Sequence, residues 1–221
     1  MSSNKKELNF IVITGPTATG KTKVAVDIAK HFEGEIISAD SRQIYKGMDI
    51  GTGKDLNEYV INGEAIPYHL IDILDPTENY SVYQFQRDFL SAYNDISTRN
   101  KLPILCGGTG LYIESILLKY RLQNAPGPNQ DLRQSLQAKS TEELLEIFQN
   151  ISPDKFQDPS KKDTKNRIIR SIEIEFDKTN DEPDIFINQS IDNFLVIGVK
   201  QARQDNRDLI KKRLAERIDD G

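Results

Sequence analysis

Apolar residues along the first forty positions follow two different spacings. Residues 8–13 form a short, mainly apolar run, which is typical of a buried strand. After a glycine-rich turn, Val24, Ile28 and Ala29 recur at helical intervals, and residues 35–39 form a second apolar run. The pattern predicts a strand, a turn, a helix and a second strand in that order.

The same alternation continues through the middle of the chain. Residues 68–73 and 103–106 are apolar runs that predict two further strands. Between them, Ser81 and Gln84 have the spacing of a capping box, and a helix is expected from there to Ile96. Strands that alternate with helices are typical of βαβ units, so we expect the α/β class, with a parallel sheet flanked by helices.

The texture of the sequence changes near residue 120. Polar residues and prolines dominate 121–165, where one amphipathic helix is predicted over 141–149. We interpret 121–165 as a small helical insertion into a core formed by residues 1–120 and 166–221. Further helices are expected over 111–119, 164–177 and 205–219, and a last strand over 194–197.

Composition excludes several classes of protein. Among 221 residues there are one cysteine and two histidines, so we expect neither a disulfide within the chain nor a cysteine-built zinc site. We interpret Cys106 as a small core residue. No apolar run approaches the roughly 18 residues of a membrane span, and the N-terminus lacks the apolar segment of a signal peptide. The expected compartment is the cytosol.

Positive charge is concentrated in two segments of an acidic chain. The formal net charge is −5, whereas residues 161–170 and residues 200–217 each carry a net charge of +4. Basic segments of this kind could hold a polyanion. On charge alone, solvated helix faces are the favoured interpretation.

Residues 15–22, GPTATGKT, match the phosphate-loop pattern G-x-x-x-x-G-K-[ST]. The motif lies between a predicted strand and a predicted helix, which is the context that phosphate binding requires. Lys21 is expected to reach the terminal phosphates, and the Thr22 hydroxyl is expected to bind Mg²⁺. We therefore expect a P-loop NTPase-like fold with a bound di- or triphosphate. The residues expected to hold that ligand are Gly15, Thr17, Ala18, Thr19, Gly20, Lys21 and Thr22.

A phosphate loop does not by itself identify the reaction, because nucleotide kinases and hydrolysing NTPases share it. Asp40 and Asp72 are the candidates for an acidic residue that holds Mg²⁺ through water. Asp40 follows a predicted strand and should lie at the carboxyl edge of the sheet, where α/β proteins bind ligands. From that residue alone, an aspartate that caps the next turn is the favoured interpretation.

Five segments and a group of spaced arginines occur in a characteristic order along the chain. The segments are GPTATGKT (15–22), ISADSRQIYKGMDIGTGK (37–54), YHLIDILDP (68–76), GGTGLY (107–112) and NRIIRSIE (166–173). Arg207, Arg213, Arg217 and Asp219 follow them in the last predicted helix. From about residue 10 to residue 219, this order resembles the signature of the tRNA dimethylallyltransferases, also called isopentenyltransferases.

The resemblance implies transfer of a dimethylallyl group from its diphosphate to the exocyclic amine of the tRNA adenosine 3′ of the anticodon. It implies that Asp40 accepts the proton of the amine, and that Thr109 and Arg217 contact the diphosphate. It also implies that Ser41 and Gln43 contact the target nucleotide, which must leave its stack to reach the site. From the residue alone, Thr109 could equally be a helix N-cap.

The resemblance also implies partners for the chain. We expect Mg²⁺ as the cofactor, dimethylallyl diphosphate and the tRNA anticodon stem-loop as partners, no membrane partner, and a monomer. Family members grip the stem-loop with the inserted helical segment, which here is 121–165. Lys162 and Arg167, from the first basic segment, are expected to hold the tRNA backbone.

Three alternatives stay open at this point: prenylation of free adenine nucleotides, a P-loop small-molecule kinase, and a non-catalytic tRNA-binding remnant. The two basic segments argue against the first, because a free nucleotide needs no RNA-binding surface. Residues 40–45 and the GGTGLY segment (107–112) argue against the second, because they favour transfer to adenine. Family members continue past the position of Gly221 into helices that enclose the tRNA, so we expect a reduced variant or a truncated product.

Overall fold

The structure is a computed structural model that describes most of the chain. It covers residues 8–120, 122, 129–176, 185–186 and 189–219, without the side chains of Arg203 and Arg217. The chain divides into two units. The first consists of Met1–Arg121 and Ile185–Gly221, and the second of Leu122–Asp184.

Strands of the described residues belong to a main sheet and a small hairpin. Their bounds are β1 Phe10–Thr14, β2 Gly34–Ser38, β3 Val60–Ile61, β4 Glu64–Ala65, β5 Tyr68–His69, β6 Leu102–Gly107 and β7 Phe194–Gly198. Five strands form a parallel sheet with the order β5-β2-β6-β1-β7, and β3 pairs with β4 antiparallel. The predicted strands over 8–13, 35–39, 103–106 and 194–197 are confirmed by β1, β2, β6 and β7.

Helices of the described residues connect and cover these strands. Their bounds are α1 Lys21–Phe32, α2 Val82–Thr98, α3 Gly110–Leu117, α4 Gln130–Gln137, α5 Thr141–Ile151, α6 Pro153–Phe156, α7 Lys165–Phe176 and α8 Arg203–Asp219. The capping box predicted from Ser81 and Gln84 is present at the start of α2. No helix among the described residues is both long and apolar enough to span a bilayer.

The main sheet carries a hydrophobic layer on each face. On one face, Phe10 of β1 packs with the rings of Phe89 and Tyr93 from α2. On the other face, Ile13 of β1 and Ala25 of α1 belong to a second buried cluster. Because all five strands run in the same direction, the loops that follow β1, β2 and β6 meet at one edge of the sheet.

The predicted strand over 68–73 is wrong beyond its first two residues. Pairing with β2 ends at His69, which lies opposite Ile37. Leu70 and Asp72 have φ angles of 62° and 56°, and an extended strand does not allow this left-handed conformation. The segment therefore turns, and the N–H of Asp72 donates to the carbonyl of Gln43 at 3.1 Å. Apolar side chains at 70 and 71 mimic a strand because both are buried in the core.

The second unit is a small helical cluster. Leu144 and Phe148 of α5 are buried against Ile168 and Ile172 of α7, and α4 joins the same cluster. The sequence prediction ended the helical insertion at 165, whereas this unit extends to Asp184. The apolar face of α7 accounts for the difference, because it packs on α5.

Gly107 is the position where β6 approaches the end of β2 too closely for a side chain. A Cβ atom at Gly107 would collide with the backbone of Ala39, whereas a Cβ at Gly110 meets nothing within 4 Å. We expect Gly107→Ala to lower the free energy of unfolding by about 1–3 kcal/mol, as overpacking does. Gly110→Ala, at the first position of α3, is the matched control and should leave stability unchanged or raised. Urea denaturation measures both, and equal stability of the two variants would contradict the close approach.

Candidate active site

A cleft of about 450 Å³ opens at the carboxyl edge of the main sheet, in the first unit. The loops after β1, β2 and β6 form its floor, and α8 contributes one wall. Residues 51–53 and 58–59, which precede the small hairpin, complete it. The residues predicted from the sequence that line this cleft are Thr17, Ala18, Gly20, Lys21, Thr22, Asp40, Ser41, Gln43 and Thr109.

The glycine-rich loop between β1 and α1 is held in shape by its own side chains. Thr19 Oγ1 and Lys21 Nζ both donate to the carbonyl of Pro16, at 2.8 and 2.6 Å. Gly20, with φ of 81°, adopts the left-handed conformation that lets the chain enter α1. Burial in the cleft lowers the pKa of the Lys21 ammonium, and the nearby carboxylate of Asp40 acts in the opposite direction.

Asp40 caps a turn and also lines the cleft. One carboxylate oxygen, Oδ1, accepts a hydrogen bond from the N–H of Arg42 at 2.9 Å, so the turn-capping interpretation is confirmed. Within the part of the chain that the structure describes, Oδ2 has no hydrogen-bond partner. The two interpretations weighed from the sequence are therefore compatible, because each uses a different oxygen.

Thr109 connects the loop after β6 to the loop after β2. It occupies the N-cap position of α3, but its side chain makes no capping hydrogen bond. Instead, Oγ1 accepts from the N–H of Ser41 at 2.9 Å and lies 3.3 Å from Ser41 Oγ. The N–H of Thr109 donates to the carbonyl of Ala39 at 3.1 Å. Thr109 thus fixes the residues next to Asp40.

Gln43 is oriented from two sides within the cleft. Its Nε2 donates to the carbonyl of Gly53 at 3.2 Å, and its Oε1 accepts from the hydroxyl of Ser38 at 3.3 Å. Ser41 and Gln43 line the cleft together with Asp40, and their predicted contact with the target nucleotide stays a prediction. Polar donors and acceptors of this kind can recognise the edge of a base.

The other candidate carboxylate, Asp72, does not line this cleft. Its Oδ1 accepts from Lys54 Nζ at 2.5 Å, and it borders a neighbouring cleft. Among the described residues, no group of three or more His, Cys, Asp and Glu side chains could hold a metal ion. The Thr22 hydroxyl and the Asp40 carboxylate both line the cleft, and Mg²⁺ typically takes one or two protein oxygens and completes its shell with phosphate and water.

From α8, the resemblance assigned only Arg217 a contact with the ligand, and the other side chains of this helix that line the cleft were missed. Arg213 projects to the cleft and forms ion pairs with Asp55 and with Glu58, the latter at 3.0 Å. Ile210 and Leu214 of the same helix also line the cleft. The spacing of the arginines in α8 was the signal, but it gave no individual role to Arg213. The side chain of Arg217 lies outside the described residues, so its predicted role stays a prediction.

Two further side chains give the cleft an apolar part. Tyr59 and Cys106 are both buried and line the cleft. Burial raises the pKa of the Cys106 thiol to about 12, so the thiol is neutral at physiological pH. Burial also raises the pKa of the Tyr59 hydroxyl. Cys106 is therefore a core residue, as predicted, that also faces the cleft.

Lys162 and Arg167 belong to the second unit, where each has a partner within the protein. Arg167 donates to Asp163 Oδ2 at 2.5 Å and to the carbonyl of Ser160 at 3.3 Å, with 58% of its side chain exposed. Lys162 Nζ lies 3.9 Å from the centre of the Phe156 ring. Their predicted contact with RNA stays a prediction.

Comparison with known proteins gives the family. The profile described as IPP transferase matches residues 43–221, and that described as isopentenyl transferase matches residues 8–66. tRNA dimethylallyltransferase 2 of Bacteroides fragilis is 51% identical over 217 residues, which cover 97% of this chain and 69% of that protein. The chain belongs to the tRNA dimethylallyltransferase family. The family resemblance stated from the sequence is therefore confirmed, and the family is one of prenyltransferase enzymes.

Further relatives and solved structures support the same family and fold. tRNA dimethylallyltransferase 2 of Phocaeicola vulgatus is 48% identical over 223 residues, covering 98% of this chain and 69% of that protein. The full-length tRNA isopentenylpyrophosphate transferase of Bacillus halodurans, a crystal structure, has a TM-score of 0.61 at 34% identity, covering 97% and 67% of the two chains. A eukaryotic dimethylallyltransferase acting on tRNA has a TM-score of 0.68 at 25% identity, covering 96% and 55%. The predicted P-loop NTPase-like fold is confirmed.

The bond between Thr109 and Ser41 can be tested without any substrate. Thr109→Val keeps the side-chain shape but removes the acceptor for the Ser41 N–H. We expect the unfolding free energy to fall by about 1–3 kcal/mol, the usual effect of leaving a partly buried donor unsatisfied. Amide exchange at Ser41 should accelerate in parallel. Thr109→Ser is the matched control and should restore both values; slow exchange at Ser41 in the valine variant would disprove the contact.

Proposed function

We propose that the chain transfers a dimethylallyl group from dimethylallyl diphosphate to the exocyclic amine of the tRNA adenosine 3′ of the anticodon. One observation carries this proposal. In a chain of this family, a single cleft contains both the phosphate-loop motif and Asp40, and one carboxylate oxygen of Asp40 has no hydrogen-bond partner among the described residues. Relatives named tRNA dimethylallyltransferase and a neighbour crystallised with tRNA as its substrate support the choice of acceptor. Such an acceptor is consistent with a cytoplasmic location.

The diphosphate is proposed to bind in the glycine-rich loop at the N-terminus of α1. Backbone N–H groups and the helix dipole favour anions there. Lys21 lies in the same cleft, and a bound diphosphate would compensate the burial that now lowers its pKa. As the allylic C–O bond breaks, negative charge grows on the leaving diphosphate, and these fixed donors stabilise it.

Mg²⁺ is proposed as the cofactor of this half of the site. The hydroxyl of Thr22, in the first turn of α1, would hold it, and the donor set fits a hard cation that prefers oxygen ligands. When bound, Mg²⁺ neutralises charge on the diphosphate. Arg217 is proposed to contact the diphosphate as a second cation. It lies on α8, one turn after Arg213, which lines the cleft.

Asp40 is proposed as the general base in the same cleft. The carbon–nitrogen bond forms as the carbon–oxygen bond to the diphosphate breaks, and the amine must lose one proton. Oδ1 of Asp40 stays fixed by the Arg42 N–H at 2.9 Å, which leaves Oδ2 to accept that proton. Ser41 and Gln43 are proposed to hold the base of the target nucleotide beside it. Thr109 acts here by fixing Ser41, and we propose a further contact to the diphosphate.

The tRNA backbone is proposed to bind residues of the second unit. Lys162 and Arg167 are partly exposed, and their intramolecular partners are a ring, a carboxylate and a carbonyl that can be exchanged for phosphate. The whole enzyme is proposed to act as a monomer on one anticodon stem-loop.

A transfer assay with competing acceptors tests the proposed function. Labelled dimethylallyl diphosphate and Mg²⁺ are supplied with unmodified tRNA, or with AMP, ADP or ATP. We expect label only in tRNA, and an affinity for tRNA that falls steeply with salt, because each neutralised phosphate releases counterions. Equal labelling of AMP would replace the proposal with prenylation of free nucleotides. Transfer of phosphate instead of the prenyl group would indicate a kinase.

Asp40→Asn separates the catalytic role from the turn. The amide oxygen of asparagine can still accept from Arg42, so the unfolding temperature should stay unchanged. The rate of single-turnover transfer at saturating substrates should fall by roughly 10²–10⁴, the usual contribution of a general base. Binding of tRNA and of the diphosphate should change little, since the proton is lost only as the new bond forms. A rate within a few-fold of the wild type would remove Asp40 from the mechanism.

A further inference from the structure

Lys54 is a buried lysine to which the proposed chemistry gives no task. Its side chain is 1% exposed, and it does not line the cleft that contains Asp40. Its Nζ donates to the carbonyl of Tyr45 at 2.8 Å, to Asp49 Oδ1 at 2.8 Å and to Asp72 Oδ1 at 2.5 Å. An ammonium group has three donors, so all of them are used.

These three bonds fasten two segments of the chain to each other. Tyr45 and Asp49 belong to the loop that follows β2, and Asp72 belongs to the turn that follows β5. Four backbone hydrogen bonds also join these segments, from the N–H groups of Lys46, Asp72, Ile73 and Leu74 to the carbonyls of Leu74, Gln43 and Ile44. Lys54 adds an ionic link to these backbone bonds, through its contact with Asp72.

The fastened loop orients Gln43. The residue before Lys54, Gly53, provides the carbonyl that accepts from Gln43 Nε2 at 3.2 Å. Asp72, one of the acceptors of Lys54, donates its N–H to the carbonyl of Gln43 at 3.1 Å. Both the side chain and the backbone of Gln43 are therefore bonded to a residue that Lys54 holds or adjoins.

Electrostatics explains why the lysine stays charged at this position. Burial lowers the pKa of Lys54, but the hydrogen bonds to Asp49 and Asp72 outweigh that effect and raise the pKa above its usual value. A buried ion pair of this kind adds little to stability compared with well-packed apolar residues. The ion pair does fix the geometry, because the three acceptors belong to two separate segments of the chain.

We propose that Lys54 is a positioning residue for the acceptor nucleotide, which it controls by fixing Gln43 beside Asp40. The inference rests on the proposed function, since it concerns how the adenosine is placed for transfer. It predicts that loss of Lys54 harms the acceptor side of the reaction and spares the diphosphate side. The glycine-rich loop makes no hydrogen bond to Lys54 within the described residues, which is why the two sides should separate.

Lys54→Met tests the inference through the kinetics of each substrate. We expect kcat/KM for tRNA to fall about 10–100-fold, the effect of a small misplacement of reacting groups, and KM for dimethylallyl diphosphate to stay within twofold. Asp72→Asn, which tolerates the left-handed backbone, should shift the same constants less. The Asp72→Asn variant provides the same test if Lys54→Met does not fold. Equal changes for both substrates would overturn the proposal.

A double-variant cycle distinguishes positioning through Gln43 from general destabilisation. If Lys54 acts through Gln43, Gln43→Ala combined with Lys54→Met should lose no more kcat/KM for tRNA than Gln43→Ala alone. Multiplied effects would overturn the proposal. Arg99→Met is the matched control, because it breaks an ion pair with buried Glu35 toward the other end of β2. It should lower the unfolding temperature but leave kcat/KM for tRNA unchanged.

Hydrogen exchange keeps this test separate from the test of the proposed function. In Lys54→Met, the amides of residues 43–53 should exchange faster, while those of α1 should not change. If wild-type protein transfers no prenyl group, the proposed function fails and exchange still decides the placement of Gln43. Unchanged exchange over 43–53 would overturn the inference even in an active enzyme.

Discussion

The close approach of two backbones at the carboxyl edge of the sheet determines the rest of the site. Gly107, at the end of β6, leaves no room for a Cβ atom against Ala39. This contact brings Thr109 within hydrogen-bond distance of Ser41 and of the Ala39 carbonyl. Asp40 lies between those two residues, so its position in the cleft follows from backbone geometry. A parallel sheet provides such a meeting point because the ends of its strands coincide.

Two lysines of the same unit show how burial produces opposite results. Burial lowers the pKa of Lys21, which donates to the carbonyl of Pro16 and has no carboxylate in hydrogen-bond contact within the described residues. Lys54 donates to two carboxylates and a carbonyl, and its pKa is raised. The first lysine has electrostatic reason to bind an anion, whereas the second is already compensated. The two pKa values therefore move in opposite directions because carboxylates accept hydrogen bonds from one buried ammonium and, among the described residues, not from the other.

The aspartates near the cleft also differ in their hydrogen-bond and ion-pair partners. One carboxylate oxygen of Asp40 accepts from the Arg42 N–H, and the other has no hydrogen-bond partner among the described residues. A carboxylate oxygen of Asp72 accepts from Lys54 Nζ. Asp55 is engaged by Arg213 of α8. Before the family resemblance was considered, the sequence offered both Asp40 and Asp72 as candidate acidic residues, and the resemblance then favoured Asp40. The structure distinguishes the two carboxylates by their surroundings: Asp40 lines the cleft with the phosphate-loop motif, whereas Asp72 is paired with Lys54 outside it.

The sequence by itself determined the α/β class, most of the strands and helices, the glycine-rich loop and the family, because each depends on local spacing or on motifs of adjacent residues. It mispredicted 68–73, where the left-handed conformations of Leu70 and Asp72 depend on contacts with the loop at Gln43. It placed the end of the helical insertion at 165, before α7. The packing of α7 on α5, which assigns α7 to the second unit, is a contact between separate helices that local spacing does not reveal. The partners of Thr109, Lys54 and Arg213 were decided only by the tertiary structure, since hydrogen bonds and ion pairs between residues up to 158 positions apart leave no periodic trace in a sequence.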